Sequence, residues 1–153
     1  MPGPEPILVC VAWPYANGSL HLGHVAGSLL PPDIFARYHR MKGSRVLMVS
    51  GSDCHGTPIM VQAEKAGITP AELVAKYNAE HKASLAQLGV QFDLFTATST
   101  ENHKKWVQEI FTIHKELGYL VERLGQGMFC PKDKRFLPDR YVEGTCPYCT
   151  NPQ

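Results

Sequence analysis

Two kinds of apolar run alternate along this chain. Ile7-Leu8-Val9-Cys10-Val11-Ala12 and Val46-Leu47-Met48-Val49 are short and unbroken, the pattern of buried strands. Between them, helical spacing continues past His24 to Leu29, meets Pro31-Pro32, and resumes from Asp33 to Met41. Two prolines cannot donate backbone hydrogen bonds, so a kink or a break and restart is expected there. Lys42-Gly43 should close that element. Thr69-Pro70-Ala71-Glu72 spells a capping box with proline at the first helical position, opening a helix to about Leu88 that Gly89 stops. Phe92-Asp93-Leu94-Phe95 reads as a third strand. Thr100 should cap a helix from Glu101 to Leu117, followed by Gly118. Its stripe of Trp106, Val107, Ile110, Phe111, Ile113 and Leu117 reads as core. The order of strands and helices predicts an α/β fold, the first half of a doubly wound parallel sheet with right-handed crossovers.

The chemistry is expected where the first strand ends. Pro14, Asn17, Gly18 and Ser19 mark a turn-rich loop, and His21-Leu22-Gly23-His24 opens a helix. A strand, a glycine-bearing loop and a helix N-terminus form a natural phosphate site. His21 and His24, three residues apart, should share one helical face and donate to an anion. Gly23 between them would let a flat base or sugar approach the backbone. A zinc pair, or two solvent-facing histidines, would fit the same spacing. Ala12 to Tyr15 and Ser50 to His55 lie at adjacent C-terminal strand ends, where ligands of such sheets gather. Asp53 could hold a substrate ammonium, or simply cap the helix near Thr57-Pro58.

The residues from Pro14 to His24 resemble the HIGH signature of class I aminoacyl-tRNA synthetases, and Ala12, Tyr15 and Asn17-Gly18 resemble its methionyl version in particular. Arg37-Tyr38, Arg40-Met41, Gly43, Asp53, His55-Gly56-Thr57-Pro58-Ile59 and Phe136-Leu137-Pro138-Asp139-Arg140 extend the likeness over nearly the whole chain. The resemblance implies a Rossmann-like catalytic fold and ligation of methionine to tRNA(Met) through methionyl-adenylate. His21, Gly23 and His24 would bind ATP, the two histidines acting in catalysis with Mg²⁺ as further charge. Ala12, Trp13, Tyr15 and Asp53 would bind methionine, Asp53 matching the amine-binding aspartate. Trp13 departs from the family, which carries a smaller apolar residue there.

From Tyr119 the composition changes. Leu120-Val121-Glu122-Arg123 and Gly127-Met128-Phe129-Cys130 read as short strands, and the segment resembles the start of a zinc-knuckle insertion. Residues 1–118 would then be the first part of the catalytic domain and 119–153 the start of the insertion. Cys146-Pro147-Tyr148-Cys149 supplies two Zn²⁺ ligands of four, unless it is a chance turn; Cys130 is a spare thiol or a third ligand. With the set incomplete, residues 142 to 153 are expected to be poorly ordered and to hold zinc weakly or not at all. No KMSKS-like loop occurs, so the chain reads as part of a longer enzyme, inactive alone.

Composition narrows the picture little. Fifteen Lys and Arg against fourteen Asp and Glu give a net charge of +1, which offers no sign of a broad nucleic-acid footprint. Five cysteines with one CxxC suit a reducing, cytoplasmic setting. The absence of a basic leader and of any apolar run of ~18 residues argues against a membrane span. Two other readings fit part of the pattern: an HxGH nucleotidylyltransferase, which would bind nucleotide without amino-acid synergy, and a non-catalytic zinc-knuckle module binding nucleic acid.

Overall fold

A computed structural model describes residues 5–137. The chain divides into two compact units, Met1–Glu109 and Ile110–Gln153. In the first, β1 (Ile7–Cys10), β2 (Val46–Ser52) and β3 (Leu94–Ala97) form one parallel sheet in that order. The register sets Leu8 beside Leu47 and Val49 beside Leu94, so alternation along the strands puts all four on one face. Val9, Met48, Ser50 and Phe95 occupy the other.

That other face is where the core forms. Met48 and Val11 pack with Leu29, Ala36, Leu85 and Val90 in one buried cluster. A second joins Ala97 and Ala16 to Cys54, Ile59, Ala63, Leu73 and Val74. Their helical members come from the segment after β1, from α3 (Thr57–Ala66) and from α4 (Pro70–Gln87). The first face is bare by contrast: Leu8, Leu47 and Leu94 are each more than half exposed. The α/β class and the parallel sheet are as expected, but the apolar runs are buried on one side only.

Local chemistry sets most element ends. Thr69 Oγ1 accepts from the Glu72 N–H while Glu72 accepts from the Thr69 N–H, the reciprocal box that starts α4. Gly43, at φ +84°, ends the helix before β2, with Ser44 N–H donating to the His39 carbonyl. The helix does not break at Pro31-Pro32. Instead α1 (Leu22–His24) runs through a π segment (Val25–Leu29) directly into α2 (Leu30–Met41), with both prolines in the first turn of α2. The wider turn, closed by the Leu30 N–H on the Val25 carbonyl, takes up the irregularity just before the residues that cannot donate.

Two other expectations are corrected. β3 lies two residues later than the Phe92-to-Phe95 run, because pairing with β2 fixes its register. α5 (Glu101–Glu116) carries the expected apolar stripe, yet Trp106, Val107, Ile110, Phe111, Ile113 and Leu117 are all exposed. Periodicity marks a face that can be buried, and no described layer covers this one.

In the second unit, β4 (Met128–Cys130) and β5 (Arg135–Leu137) pair antiparallel. Leu120-Val121-Glu122-Arg123 is irregular rather than a strand, and no strand among the described residues pairs with it. The Cys130 thiol donates to Asp133 Oδ2 at 3.3 Å, and the Asp133 N–H donates back to Sγ at 3.5 Å. No group of three or more histidine, cysteine or acidic side chains fit for a metal occurs among the described residues. Cys146, Cys149 and Pro138-Asp139-Arg140 lie outside them. No described helix is long and apolar enough to cross a membrane.

Candidate functional site

The loop after β1 is tied directly to the end of β2. Asp53 N–H donates to the Pro14 carbonyl and Ala16 N–H to the Asp53 carbonyl, both at 2.8 Å, with Tyr15 and Asp53 paired in parallel. The two strand ends thus meet by backbone hydrogen bonds rather than facing each other across a gap. Tyr15 is held by this ladder, and Trp13 precedes it across Pro14.

His21 and His24 lie side by side, but only His24 is on the helix. His21, with extended backbone, is the residue before α1, and its Nδ1 accepts from the N–H groups of Gly23 (3.1 Å) and His24 (3.3 Å). His24 Nδ1 in turn accepts from the His21 N–H at 3.3 Å. The rings stack with centroids 3.8 Å apart. Two histidines here perform the reciprocal capping usually left to Ser or Thr with Glu. A consequence follows for the protons. Each Nδ1 is an acceptor, so each neutral ring carries its proton on Nε2, as a donor not used by the cap. Gly23 suits this packing: a Cβ there would stand 3.0 Å from both Cε1 and Nδ1 of His21, a tight contact that the ring would have to relieve.

Burial lowers the His24 pKa below its ordinary 6.5, with repulsion from His21 and then His81 adding to it. The folded protein therefore binds this proton less readily than the unfolded chain does. Stability should be full above pH 6.5, fall as the pH drops below that value, and level off once His24 is protonated in the folded protein as well. Melting midpoints from about pH 8 down to about pH 5 should show this slope, and His24→Gln should flatten it. An unchanged slope in the variant would contradict the assignment.

Beside the cap lies a cavity of about 170 Å³, lined by Ala12, Trp13, Pro14 and Tyr15 together with His24, Ser28 and Leu29. It gathers Ala12, Trp13, Tyr15 and His24 from the expected site residues; His21, Gly23 and Asp53 are not on its wall. Asp53 does not cap α3, whose first residue is preceded by Gly56 with no side-chain cap. Its Oδ1 accepts only a long contact, 3.4 Å, from the His55 N–H. His55 lies on a neighbouring cavity of about 200 Å³ with Thr98 and His103. The Trp13 ring packs 5.8 Å from that of His103 and lies over Gly51. A strand-end pocket with an aromatic wall and the His24 imidazole on its lining, the His21 ring stacked against that imidazole, can hold a small apolar side chain beside an anion.

Two contributors carry no local signal in the sequence. Gly51 makes room for Trp13, and His81 sits fully buried behind the loop, its Nε2 2.8 Å from the Gly18 carbonyl. The one hint of His81 is a polar residue at four-residue spacing among Leu73, Tyr77 and Leu85.

Comparison with known proteins places these features in a lineage. Residues 7–153 match the family described as tRNA synthetases class I (M). The methionine–tRNA ligase of Thermomicrobium roseum is 58% identical over 149 residues, spanning 97% of this chain and 26% of that protein. That of Roseiflexus sp. (strain RS-1) is 53% identical over 150 residues, 98% of this chain and 25% of the relative. The chain thus spans about a quarter of the length of these curated relatives. Among solved structures, Mycobacterium tuberculosis methionyl-tRNA synthetase in complex with methionyl-adenylate superposes with a TM-score of 0.79 at 23% identity, over 97% of this chain and 30% of that one.

Proposed function

This chain belongs to the class I tRNA synthetases (M), and from that premise we propose that it supplies the nucleotide and amino-acid site of a methionine–tRNA ligase. The observation that carries the reading is the His21–His24 cap, which uses neither Nε2–H, beside the Trp13–Tyr15 cavity that His24 lines. The ATP phosphates would lie against those donors and the helix N-terminus, with the adenosine over Gly23. The methionine side chain would enter the apolar cavity, its ammonium held by Asp53 and Tyr15. Methionine's flexible thioether suits an aromatic wall such as Trp13.

In the reaction, a methionine carboxylate oxygen forms a bond to the α-phosphorus while the bond to the leaving diphosphate breaks. Transfer of the methionyl group from the adenylate to tRNA(Met) then releases AMP. The cap and cavity residues position the reactants and stabilise developing phosphate charge; no proton need leave the two rings for that. Mg²⁺ accompanies ATP as its complex. We take residues 1–118 as part of the catalytic domain and 119–153 as the beginning of the insertion, in a cytoplasmic enzyme. Zn²⁺ would be held by Cys146 and Cys149 as half a tetrahedral set, with Cys130 a spare thiol or a third ligand.

The test is direct. ATP should shift the ring signals of His21 and His24, and methionine should strengthen its binding. Gly23→Val, which drives a side chain into the His21 ring, should weaken ATP by about tenfold or more, the worth of one charge-assisted hydrogen bond. Unchanged affinity in that variant would overturn the reading.

A further inference from the structure

His81 is fully buried on α4, sixty-three residues along the chain from the polar atom nearest to it in space, and no step above uses it. Its Nε2 lies 2.8 Å from the Gly18 carbonyl oxygen. A carbonyl can only accept, so Nε2 carries the proton and donates. The other ring nitrogen stands 3.4 Å from Ser52 Oγ, which lies 3.0 Å from Asn78 Oδ1. One imidazole therefore touches the loop three residues before His21 and the strand end one residue before Asp53.

That loop has little else to fix its course. The stretch from Asn17 to Leu20 belongs to no helix or strand. It is anchored behind by the Ala16–Asp53 hydrogen bond, ahead by the His21–His24 cap, and on its inner side by Leu20 against the core. The His81 hydrogen bond falls between these anchors, at the glycine whose backbone would otherwise have the widest choice of conformations. A buried donor on a rigid eighteen-residue helix is well suited to hold it.

We propose that His81 is a positioning residue for the phosphate site: its Nε2–H holds the Gly18 carbonyl and so fixes the path by which the chain enters the His21–His24 cap. The consequence for nucleotide binding rests on the function proposed above; the effect on the cap does not. Glutamine and asparagine separate the two faces of the ring. Counted in bonds from Cβ, the glutamine amide nitrogen matches Nε2 and reaches Gly18. The asparagine amide matches Nδ1, so it can face Ser52 but falls short of Gly18.

His81→Gln should therefore leave the ring signals of His21 and His24 and the amide signals of residues 18–21 near their native positions, with ATP affinity within about threefold. His81→Asn should shift those signals without any ligand and weaken ATP about tenfold or more. Equal spectra and equal affinities in the two variants would overturn the proposal. If the unsubstituted protein binds no ATP, the nucleotide reading falls, and the ligand-free spectra alone decide the role of His81. Should His81→Asn fail to fold, ¹⁵N-histidine spectra of the unsubstituted protein remain decisive. They should show the His81 proton on Nε2 and slow to exchange; a proton on Nδ1 alone would refute the hydrogen bond to Gly18.

Discussion

Replacing Gly51 with alanine should lower the melting midpoint and unseat Trp13. A Cβ at this position would stand 2.7 Å from the Thr96 carbonyl oxygen, 2.9 Å from its carbon, and 2.8 Å from Cζ3 of Trp13. Two of those three atoms are backbone of β3, directly across the Gly51–Thr96 register, and cannot yield without disturbing the ladder. The indole can yield, so it is expected to move first. Overpacking of this kind costs about 1–3 kcal/mol, or very roughly 3–4 °C in midpoint for each kcal/mol at this chain length. Because Trp13 forms the wall of the cavity beside His24, the same change should alter its fluorescence and the methionine binding proposed for that cavity. The only other tryptophan is Trp106, exposed on α5, so a Trp106→Phe background isolates the signal. A native midpoint with native Trp13 emission would show that the strand and the indole do not meet at Gly51.

The Trp13–Gly51 contact also shows where sequence stops being informative. What depends on near neighbours was legible: the Thr69–Glu72 box, the stop at Gly43, the strand ending before the His21 loop, and the family likeness itself. What depends on distant partners was not. The register of β3 comes from Gly51 meeting Thr96, so the strand lies beyond Phe92, which packs its ring against Phe95 instead. The stripe of α5 announced a buried face with equal force whether or not anything covered it. The two histidines were legible as a pair, but their reciprocal capping depends on an extended His21 that no spacing reveals. His81 looked like one more polar residue on a helix until Gly18, far away in sequence, was seen beside it. Of the kink or break expected at Pro31-Pro32, the break is absent for a different reason. A π turn satisfies the same steric demand as a break, and periodicity alone does not choose between them.

Gly56→Ala should be the more revealing substitution, because space is not what forbids it. A Cβ there would meet only Pro58 Cδ at 3.6 Å and Tyr15 Cε1 at 4.0 Å, ordinary contacts both. The backbone is the obstacle: Gly56 sits at φ 107°, ψ 169°, a region closed to L side chains. The conformation cannot relax freely, since the Gly56 carbonyl accepts from Ile59 and Met60 at the start of α3. On the other side, His55 and Asp53 run straight into the Tyr15 ladder. The expected loss is about 1–3 kcal/mol, accompanied by shifts in the signals of Asp53, His55 and Tyr15. A D-alanine in place of Gly56 makes the cause unambiguous. For that mirror-image residue the observed dihedrals are ordinary extended backbone, and Cys54 offers a ligation junction two residues upstream. The protein carrying the D-alanine should match the native one or exceed it by about 0.4–1 kcal/mol, since the unfolded chain loses freedom that glycine had. An equal loss with both enantiomers would trace the effect to crowding against Pro58 and Tyr15, and the strain assigned to Gly56 would have to be abandoned.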